Sequence, residues 1–161
     1  MDAIVAVYSD WGIGSGGTQP IVLRADRAHF KRITEGRTVI VGRRTLADLP
    51  GGRPLSGRRT VVLSSRCPEI EGALIARSAE EAVSLCGGDA VIIGGASVYR
   101  ALLPFTDRVF VTKLGIAPPS DSFFPDLDSS PEWRLADAGE ELFENGISFR
   151  FTVYERRSDD E

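Results

Sequence analysis

One carboxylate in this sequence is placed where it could take part in proton transfer. Asp26 follows a glycine-rich segment and begins a stretch in which Phe30 and Ile33 recur at helical spacing. Desolvation in an apolar cleft raises the pKa of a carboxyl group, so Asp26 could hold a proton near neutral pH. The simpler alternative is an acidic residue that stabilises the first turn of a helix through the helix dipole.

Basic and hydroxyl side chains form a second candidate site, because most of them directly follow predicted strands. The carboxyl ends of parallel strands share one edge of a sheet, where ligands of open α/β sheets bind. Arginine forks and serine hydroxyls suit a phosphate ester such as the 2′-phosphate of NADP. Solvated loop arginines and a serine turn would produce the same pattern. The residues are Arg43, Arg44, Thr45, Ser64, Ser65, Arg66 and Arg77.

The stretch 90–104 predicts a strand, a tight corner and a helix. Its first four residues are apolar without polar alternation, which is typical of a strand buried on both faces of a parallel sheet. Gly94 and Gly95 follow, and Val98 and Leu102 then recur at helical spacing until a proline. A helix start after such a corner can bind an anion, most often a nucleotide phosphate. Alternatively, the glycines are present only because the corner needs a backbone conformation that other residues rarely adopt.

Two further features are weak when taken alone. Arg58 follows a rigid turn, residues 54–57, and an arginine held in this way can bind a carboxylate with both of its terminal nitrogens. Gly12, Gly14 and Gly17 match the dinucleotide fingerprint, but no convincing helix opens at the last glycine. We therefore expect residues 10–20 to form a mobile loop.

The pattern of apolar runs predicts an α/β fold with a single domain. We expect a central mixed, mostly parallel β-sheet of about eight strands, with an antiparallel C-terminal edge and about four flanking helices. The domain covers residues 1–157, and a charged tail covers 158–161. Predicted strands are 3–8, 38–42, 59–63, 73–76, 90–93, 108–114, 133–138 and 149–156; predicted helices are 24–34, 43–49, 79–86 and one that follows Gly95.

Composition excludes several classes of protein. A net charge of −4 and the lack of a long basic run argue against a nucleic-acid partner. A single histidine and two unrelated cysteines give no metal-ligand cluster and no disulfide framework. We find no signal peptide, lipidation motif or apolar span of 18 residues, so we expect a cytoplasmic protein with no membrane partner.

Six motifs in one order, spread over nearly the whole chain, resemble bacterial dihydrofolate reductase. They are Asp10-x-x-Ile13-Gly14, Ala25-Asp26-x-x-x-Phe30-Lys31, Val41-Gly42-Arg43-x-Thr45, Arg53-Pro54-Leu55-x-Gly57-Arg58, Leu63-Ser64-Ser65 and Ile92-Ile93-Gly94-Gly95-x-x-x-Tyr99. The resemblance implies reduction of 7,8-dihydrofolate by NADPH, with hydride transfer to C6 and protonation at N5. It also implies a monomer that binds antifolate inhibitors.

The resemblance assigns roles to particular residues. Asp26 would be the active-site acid, Thr112 would support it, Arg58 would bind the substrate's α-carboxylate, and residues 10–20 would form a lid. Gly94–Gly95 would be a cis peptide. The substrate set is Ile4, Ala6, Ile21, Asp26, Arg27, Phe30, Leu49, Arg58, Ile93, Tyr99 and Thr112. The cofactor set is Ala6, Ile13, Gly14, Gly42, Arg43, Arg44, Thr45, Leu63, Ser64, Ser65, Arg66, Arg77, Ile93, Gly94, Gly95, Ala96, Ser97, Val98 and Tyr99.

Three positions depart from the family pattern. Ile21 stands where a tryptophan that helps to order a water is usual, and Arg27 stands where an apolar residue is common. Arg27 faces either the substrate or the solvent. Pro50 and Gly51 are an apparent insertion near the rim of the site.

Two rival functions share the expected fold. Riboflavin-pathway pyrimidine reductases have a similar Gly-Gly corner, but the carboxylate at Asp26 and the arginine at Arg58 favour folate. A non-catalytic pterin- or nucleotide-binding protein is the alternative outside enzymes, and the change at Ile21 would then mark lost chemistry.

Overall fold

The computed structural model of the chain describes residues 1–15 and 21–158. The strands in these residues are β1 Asp2–Val7, β2 Gly12–Gly14, β3 Thr38–Gly42, β4 Arg59–Leu63, β5 Ala73–Ala76, β6 Ala90–Gly94, β7 Arg108–Leu114, β8 Ser122–Phe123, β9 Trp133–Asp137, β10 Leu142–Glu144 and β11 Ile147–Arg156. Nine of them form one mixed sheet, in the order β10-β11-β7-β1-β6-β3-β4-β5, with β9 also paired to β11. Strands β2 and β8 form a separate two-stranded sheet.

Within the described residues, four α-helices cover the two faces of the large sheet. They are α1 Arg24–Thr34, α2 Arg43–Asp48, α3 Ala79–Cys86 and α4 Ala96–Leu102, and short 3₁₀ turns occur at Pro50–Gly52, Gly87–Asp89 and Leu103–Phe105. Successive strand residues face opposite sides, so Val39 and Val41 pack with Leu46 of α2, whereas Ile40 packs with Val98 of α4. Burial on both faces explains why the central strands are almost entirely apolar.

The C-terminal strands supply the antiparallel edge. β11 pairs antiparallel with β7 and, on its other side, with β9 and β10. β10 and β11 are joined by Asn145 and Gly146, whose φ angles are 52° and 77°. Asn-Gly with two positive φ angles is the preferred two-residue connection of a β-hairpin, because its twist matches that of the strands.

The amino ends of four neighbouring strands are held together by ion pairs. The Asp2 carboxylate accepts hydrogen bonds from Arg37 Nη2 at 3.0 Å and Arg108 Nη2 at 2.9 Å, and Arg37 also contacts Asp89 at 3.2 Å. These four residues lie at or just before the starts of β1, β3, β6 and β7. We call them the amino-end cluster.

The predicted fold class is confirmed, and the differences lie in the loops. The prediction of residues 10–20 as a loop was wrong for Gly12–Gly14, which form a strand that pairs with Ser122–Phe123. Residues 16–20 of the predicted lid lie outside the described residues, as do residues 159–161 of the predicted tail. The prediction also missed β10 and began β11 two residues late. β2 and β8 pair only with each other across more than 100 residues, so the local sequence carries little signal for them. β10 and the start of β11 form a local hairpin, and the three-residue β10 is too short to show a clear alternation of apolar and polar residues.

Candidate active site

A cleft of about 1260 Å³ opens at the carboxyl ends of the parallel strands. The second half of β1, the last residues of β3 and β4, and the end of β6 contribute to its wall. Helices α1, α2 and α4 contribute side chains, and the β2–β8 pair contributes Gly14 and Ser122. This is the edge of an open α/β sheet where ligands are expected to bind.

Asp26 lies in the first turn of α1, with its carboxyl group at the wall of the cleft. The hydroxyl group of Thr112, on β7, donates a hydrogen bond to Asp26 Oδ1 at 2.6 Å. Burial raises the pKa of the Asp26 carboxyl group, the Thr112 hydrogen bond opposes that rise, and the charge of Glu144 adds to it. The balance favours the protonated acid more than in an ordinary aspartate, which suits a group that supports proton delivery.

Apolar side chains and a fixed tyrosine surround the acid. Ile4, Phe30, Leu49 and Ile93 line the same cleft. The Tyr99 hydroxyl donates a hydrogen bond to the Ile4 carbonyl oxygen at 2.6 Å, and the side chain is only 6% exposed. Burial raises the pKa of Tyr99, and the charge of Asp26 raises it further. Tyr99 is therefore uncharged at neutral pH. Its side chain forms part of the cleft wall, and its hydroxyl group remains a hydrogen-bond donor.

Glycines at the ends of β3 and β6 allow close packing at the wall of the cleft. The peptide bond between Gly94 and Gly95 is cis, as the resemblance implied, and Gly94 has a φ of 125°. A Cβ on Gly42 would lie 2.9 Å from Val98 Cγ2, and one on Gly95 would lie 3.0 Å from Thr45 Oγ1. Side chains at these positions would displace the start of α4 or the Thr45 hydroxyl.

The basic rim of the cleft contains both fixed and available cations. Arg77 Nη1 donates to the Cys67 carbonyl oxygen at 2.7 Å and to the Ser64 carbonyl oxygen at 3.3 Å, so this arginine fixes the turn after β4. Arg43 and Arg44 are exposed at the start of α2 and make no ion pair with any described residue. The rim therefore offers guanidinium groups whose charge is not neutralised within the described chain.

Most of the predicted site residues line this cleft. Those that do are Ile4, Ala6, Ile13, Gly14, Asp26, Phe30, Gly42, Arg43, Arg44, Thr45, Leu49, Leu63, Ser64, Ser65, Arg77, Ile93, Gly94, Gly95, Ala96, Ser97, Val98 and Tyr99. Val5, Asp48, Ala79, Arg100, Ala101, Asp121 and Ser122 also line it and were not predicted. Asp121 and Ser122 come from a polar loop, and only the pairing of that loop with β2 brings them to the cleft.

Five predicted residues lie outside the lining. Thr112 is 1% exposed and contacts Asp26 from behind. Ile21 is partly buried against Leu23 and its neighbours, whereas Arg27 and Arg66 are exposed. Arg58 is partly buried; its Nε donates to Thr34 Oγ1 at 3.2 Å and its Nη1 donates to the Ser56 carbonyl oxygen at 2.8 Å. The roles assigned to these residues stay predictions.

Two searches of the described residues gave negative results. Residues 1–15 and 21–158 contain no group of three or more histidine, cysteine, aspartate or glutamate side chains that could hold a metal ion. Among the same residues, no helix is both long enough and apolar enough to cross a membrane.

Comparison with known proteins identifies the family of this chain. The family model of dihydrofolate reductase matches residues 1–156. The chain therefore belongs to the dihydrofolate reductase family.

Curated relatives and a solved structure agree with that assignment. Dihydrofolate reductase of Mycobacterium tuberculosis is 41% identical over 150 residues, which cover 89% of this chain and 90% of the relative. Dihydrofolate reductase of Bacillus subtilis is 32% identical over 160 residues, which cover 96% and 94%. The structure of dihydrofolate reductase from Enterococcus faecalis, complexed with NADP(H) and RAB-propyl, has a TM-score of 0.86 at 29% identity, and the match covers 98% of this chain and 96% of that one.

Proposed function

We propose that this protein reduces 7,8-dihydrofolate to 5,6,7,8-tetrahydrofolate with NADPH. The observation that carries the proposal is the Asp26 carboxyl group, which Thr112 holds from behind and which lines the same cleft as the glycine corner and the basic rim. A carboxyl group that can hold a proton and apolar walls that exclude water are what reduction of a C=N bond by a nicotinamide requires. The family assignment supports the same reaction.

The substrate side of the cleft explains how the protein would bind and protonate a pterin. The Asp26 carboxylate can accept hydrogen bonds from the pterin amino group and ring nitrogen, and in its protonated form it supports proton delivery to N5. Thr112 holds the carboxyl group in one orientation. Ile4, Phe30 and Leu49 exclude water from the ring, which strengthens these contacts.

The cofactor side fits a phosphorylated dinucleotide in its hydrogen-bond donors. When bound, NADPH supplies the hydride that is transferred to C6. Gly42 and Gly95 let α4 and the Thr45 hydroxyl pack close to the ends of the strands, because a Cβ at either position would meet Val98 or Thr45. Arg43, Arg44 and the serines after β4 would hold the phosphate groups, including the 2′-phosphate that distinguishes NADPH from NADH.

Arg58 is our candidate for binding the glutamate end of the substrate. Its hydrogen bonds to Thr34 and to the Ser56 carbonyl fix the guanidinium group at the end of α1. Such pre-positioning lowers the entropy cost of binding a carboxylate. We propose that Arg58 pairs with the α-carboxylate, outside the apolar part of the cleft.

The test of this function is oxidation of NADPH by the purified protein with and without dihydrofolate. We expect oxidation that depends on dihydrofolate, with tetrahydrofolate as the product. Oxidation that depends instead on an aminopyrimidine of the riboflavin pathway would replace the proposal with the pyrimidine reductase. Tight binding of NADPH and dihydrofolate without turnover would replace it with a binding protein.

The monomeric state and the cytoplasmic location belong to the same proposal. Both follow from the character of the sequence and from the family, and antifolate inhibitors are the further small-molecule ligands that we expect. Sedimentation at several protein concentrations tests the monomer, since a dimer would show a mass that rises with concentration.

A further inference from the structure

The helix that carries Asp26 has no cap of its own. Leu23 occupies the N-cap position of α1, and its side chain makes no hydrogen bond there. The first N–H groups of a helix lack partners within the helix, and an uncapped first turn frays more readily. Asp26 lies in that first turn. The position of the acid therefore depends on whatever satisfies these N–H groups.

Glu144 supplies the missing cap from the other end of the chain. Its Oε2 accepts a hydrogen bond from the Arg24 backbone N–H at 2.6 Å, and its Oε1 accepts one from the Ala25 N–H at 3.0 Å. Both oxygens of one carboxylate therefore bind the two residues that precede Asp26. A negative charge at this end of a helix is also stabilised by the helix dipole.

The hairpin that carries Glu144 is tied to the strand that carries Thr112. Glu144 is the last residue of β10 and pairs with Ile147 across the Asn145–Gly146 turn. β11 then pairs with β7, where Phe151 lies opposite Thr112. Asp26 is thus held by a side-chain contact from β7 and by a helix cap from β10, and both strands are bound to β11.

We propose that Glu144 is a positioning residue of the reductase: it holds the first turn of α1 and so fixes Asp26 against the cleft. This proposal rests on the proposed role of Asp26. The titratable groups that face Asp26 from other elements are Glu144 and Tyr99, and its own helix adds the exposed Arg27 and the partly buried His29. The charge of Glu144 also raises the pKa of Asp26.

The test compares Glu144→Gln with Glu140→Gln in the full chain. Glutamine keeps one acceptor oxygen but loses the charge and one of the two hydrogen bonds. Glu140 is exposed in the same region, so its replacement removes an equal charge without touching α1. At neutral pH we expect Glu144→Gln to reduce dihydrofolate about five-fold more slowly, with NADPH affinity changed less than about two-fold. Glu140→Gln should match the wild type.

The pH profile separates positioning from a merely structural role. Removal of the Glu144 charge lowers the pKa of Asp26, so the midpoint of the pH–rate profile should move to lower pH in Glu144→Gln. In the Asp26→Asn background the same change should have almost no further effect on the rate, because Glu144 acts through Asp26. If Glu144→Gln lowered the melting temperature but left the midpoint of the pH–rate profile unchanged, Glu144 would be only a structural cap, and the proposal would be overturned.

A direct titration keeps this proposal distinct from the proposed function. The carboxyl carbon of Asp26, followed by NMR, reports its pKa without turnover. A lower Asp26 pKa in Glu144→Gln supports the coupling even if the wild type fails to reduce dihydrofolate, in which case only the proposed function is lost. An identical Asp26 titration curve in the two proteins would overturn the role of Glu144, whatever the activity.

Discussion

The two ends of the parallel strands use charged residues in opposite ways. At the amino ends, Asp2, Arg37, Asp89 and Arg108 pair with one another. At the carboxyl ends, Arg43 and Arg44 have no ion-pair partner among the described residues. The same residue types thus stabilise the fold at one edge and remain available at the other.

This difference between paired and unpaired charges indicates which charged residues stabilise the fold and which are candidates for binding a ligand. A charge that is neutralised within the fold contributes to stability, whereas a cation left without a partner at a concave edge is placed for an external anion. Asp26 differs from both the paired charges and the unpaired cations. Burial raises its pKa, so the ionised form of Asp26 lowers the stability of the fold. Such a cost is typical of catalytic groups.

Asp26→Asn should have the largest effect on activity. An amide cannot hold and release the proton, so we expect dihydrofolate reduction at neutral pH to fall about 100-fold or more. NADPH affinity should change little. Because the pKa of Asp26 is higher in the folded than in the unfolded protein, ionisation of Asp26 destabilises the fold as pH rises. Asparagine removes this cost, so the variant should be at least as stable as the wild type at neutral pH. Steady-state rates and thermal melts check both results; turnover equal to the wild type would remove Asp26 from the mechanism.

Arg43→Ala should act on the cofactor alone. We expect the KM for NADPH to rise about ten-fold, because a charge-assisted hydrogen bond to phosphate is lost, while the KM for NADH stays unchanged. Arg59→Ala is the matched control, since Arg59 is an exposed arginine at the amino end of β4. An equal rise for both cofactors would show that Arg43 does not bind the 2′-phosphate.

Asp2→Asn should act on stability alone. Burial disfavours the charged form of Asp2, but the hydrogen bonds from Arg108 and Arg37 and their charges outweigh it, so the pKa of Asp2 is lowered. Because the pKa of Asp2 is lower in the folded than in the unfolded protein, its ionised carboxylate stabilises the fold at pH values above the ordinary carboxyl pKa. This stabilisation is lost as the pH falls below about 4. We expect the variant to lose about 2 kcal/mol of unfolding free energy at neutral pH.

Denaturant unfolding at several pH values measures this loss, and turnover is the control. The difference from the wild type should shrink as the pH falls, while kcat at neutral pH changes less than about two-fold. A large loss of activity at unchanged stability would mean that the two edges are not separate in their roles.

Arg27→Leu should have the smallest effect. Arg27 is exposed and does not line the cleft, so we expect the KM for dihydrofolate to change less than about two-fold. A ten-fold change in this KM, or in the affinity of a diaminopyrimidine inhibitor, would instead place the guanidinium group on the bound ligand.

The sequence predicted the elements whose signals are local. Buried strands such as Thr38–Gly42 and Arg59–Leu63 have the observed bounds, and so do the helices Arg24–Thr34 and Ala79–Cys86. Apolar runs and helical spacing suffice for these elements. The two-stranded sheet was missed because β2 and β8 lie far apart in the sequence. β10 is a different case, since it pairs with the adjacent β11 across the Asn145–Gly146 turn and was missed although that local turn signal was present.

Local signals also predicted many of the residues that line the cleft, and their roles in the site stay predictions. Asp26, Arg43 and the glycine corner are marked by their own neighbourhoods and by the family motifs. Glu144 lies about 120 residues from the helix that it caps, so no pattern around Arg24 or Ala25 reveals it. The Asn145–Gly146 turn predicts a hairpin. Only the folded structure shows that the end of this hairpin lies beside the start of α1.

The pH dependence of hydride transfer in a single turnover of the wild-type protein tests the central claim, that the partly buried Asp26 governs proton delivery. The account predicts a rate that is highest when Asp26 is protonated and that falls as pH rises through an apparent pKa above the ordinary aspartate value. It also predicts that this transition is absent in Asp26→Asn. A rate independent of pH, or a transition that persists in Asp26→Asn, would contradict the account.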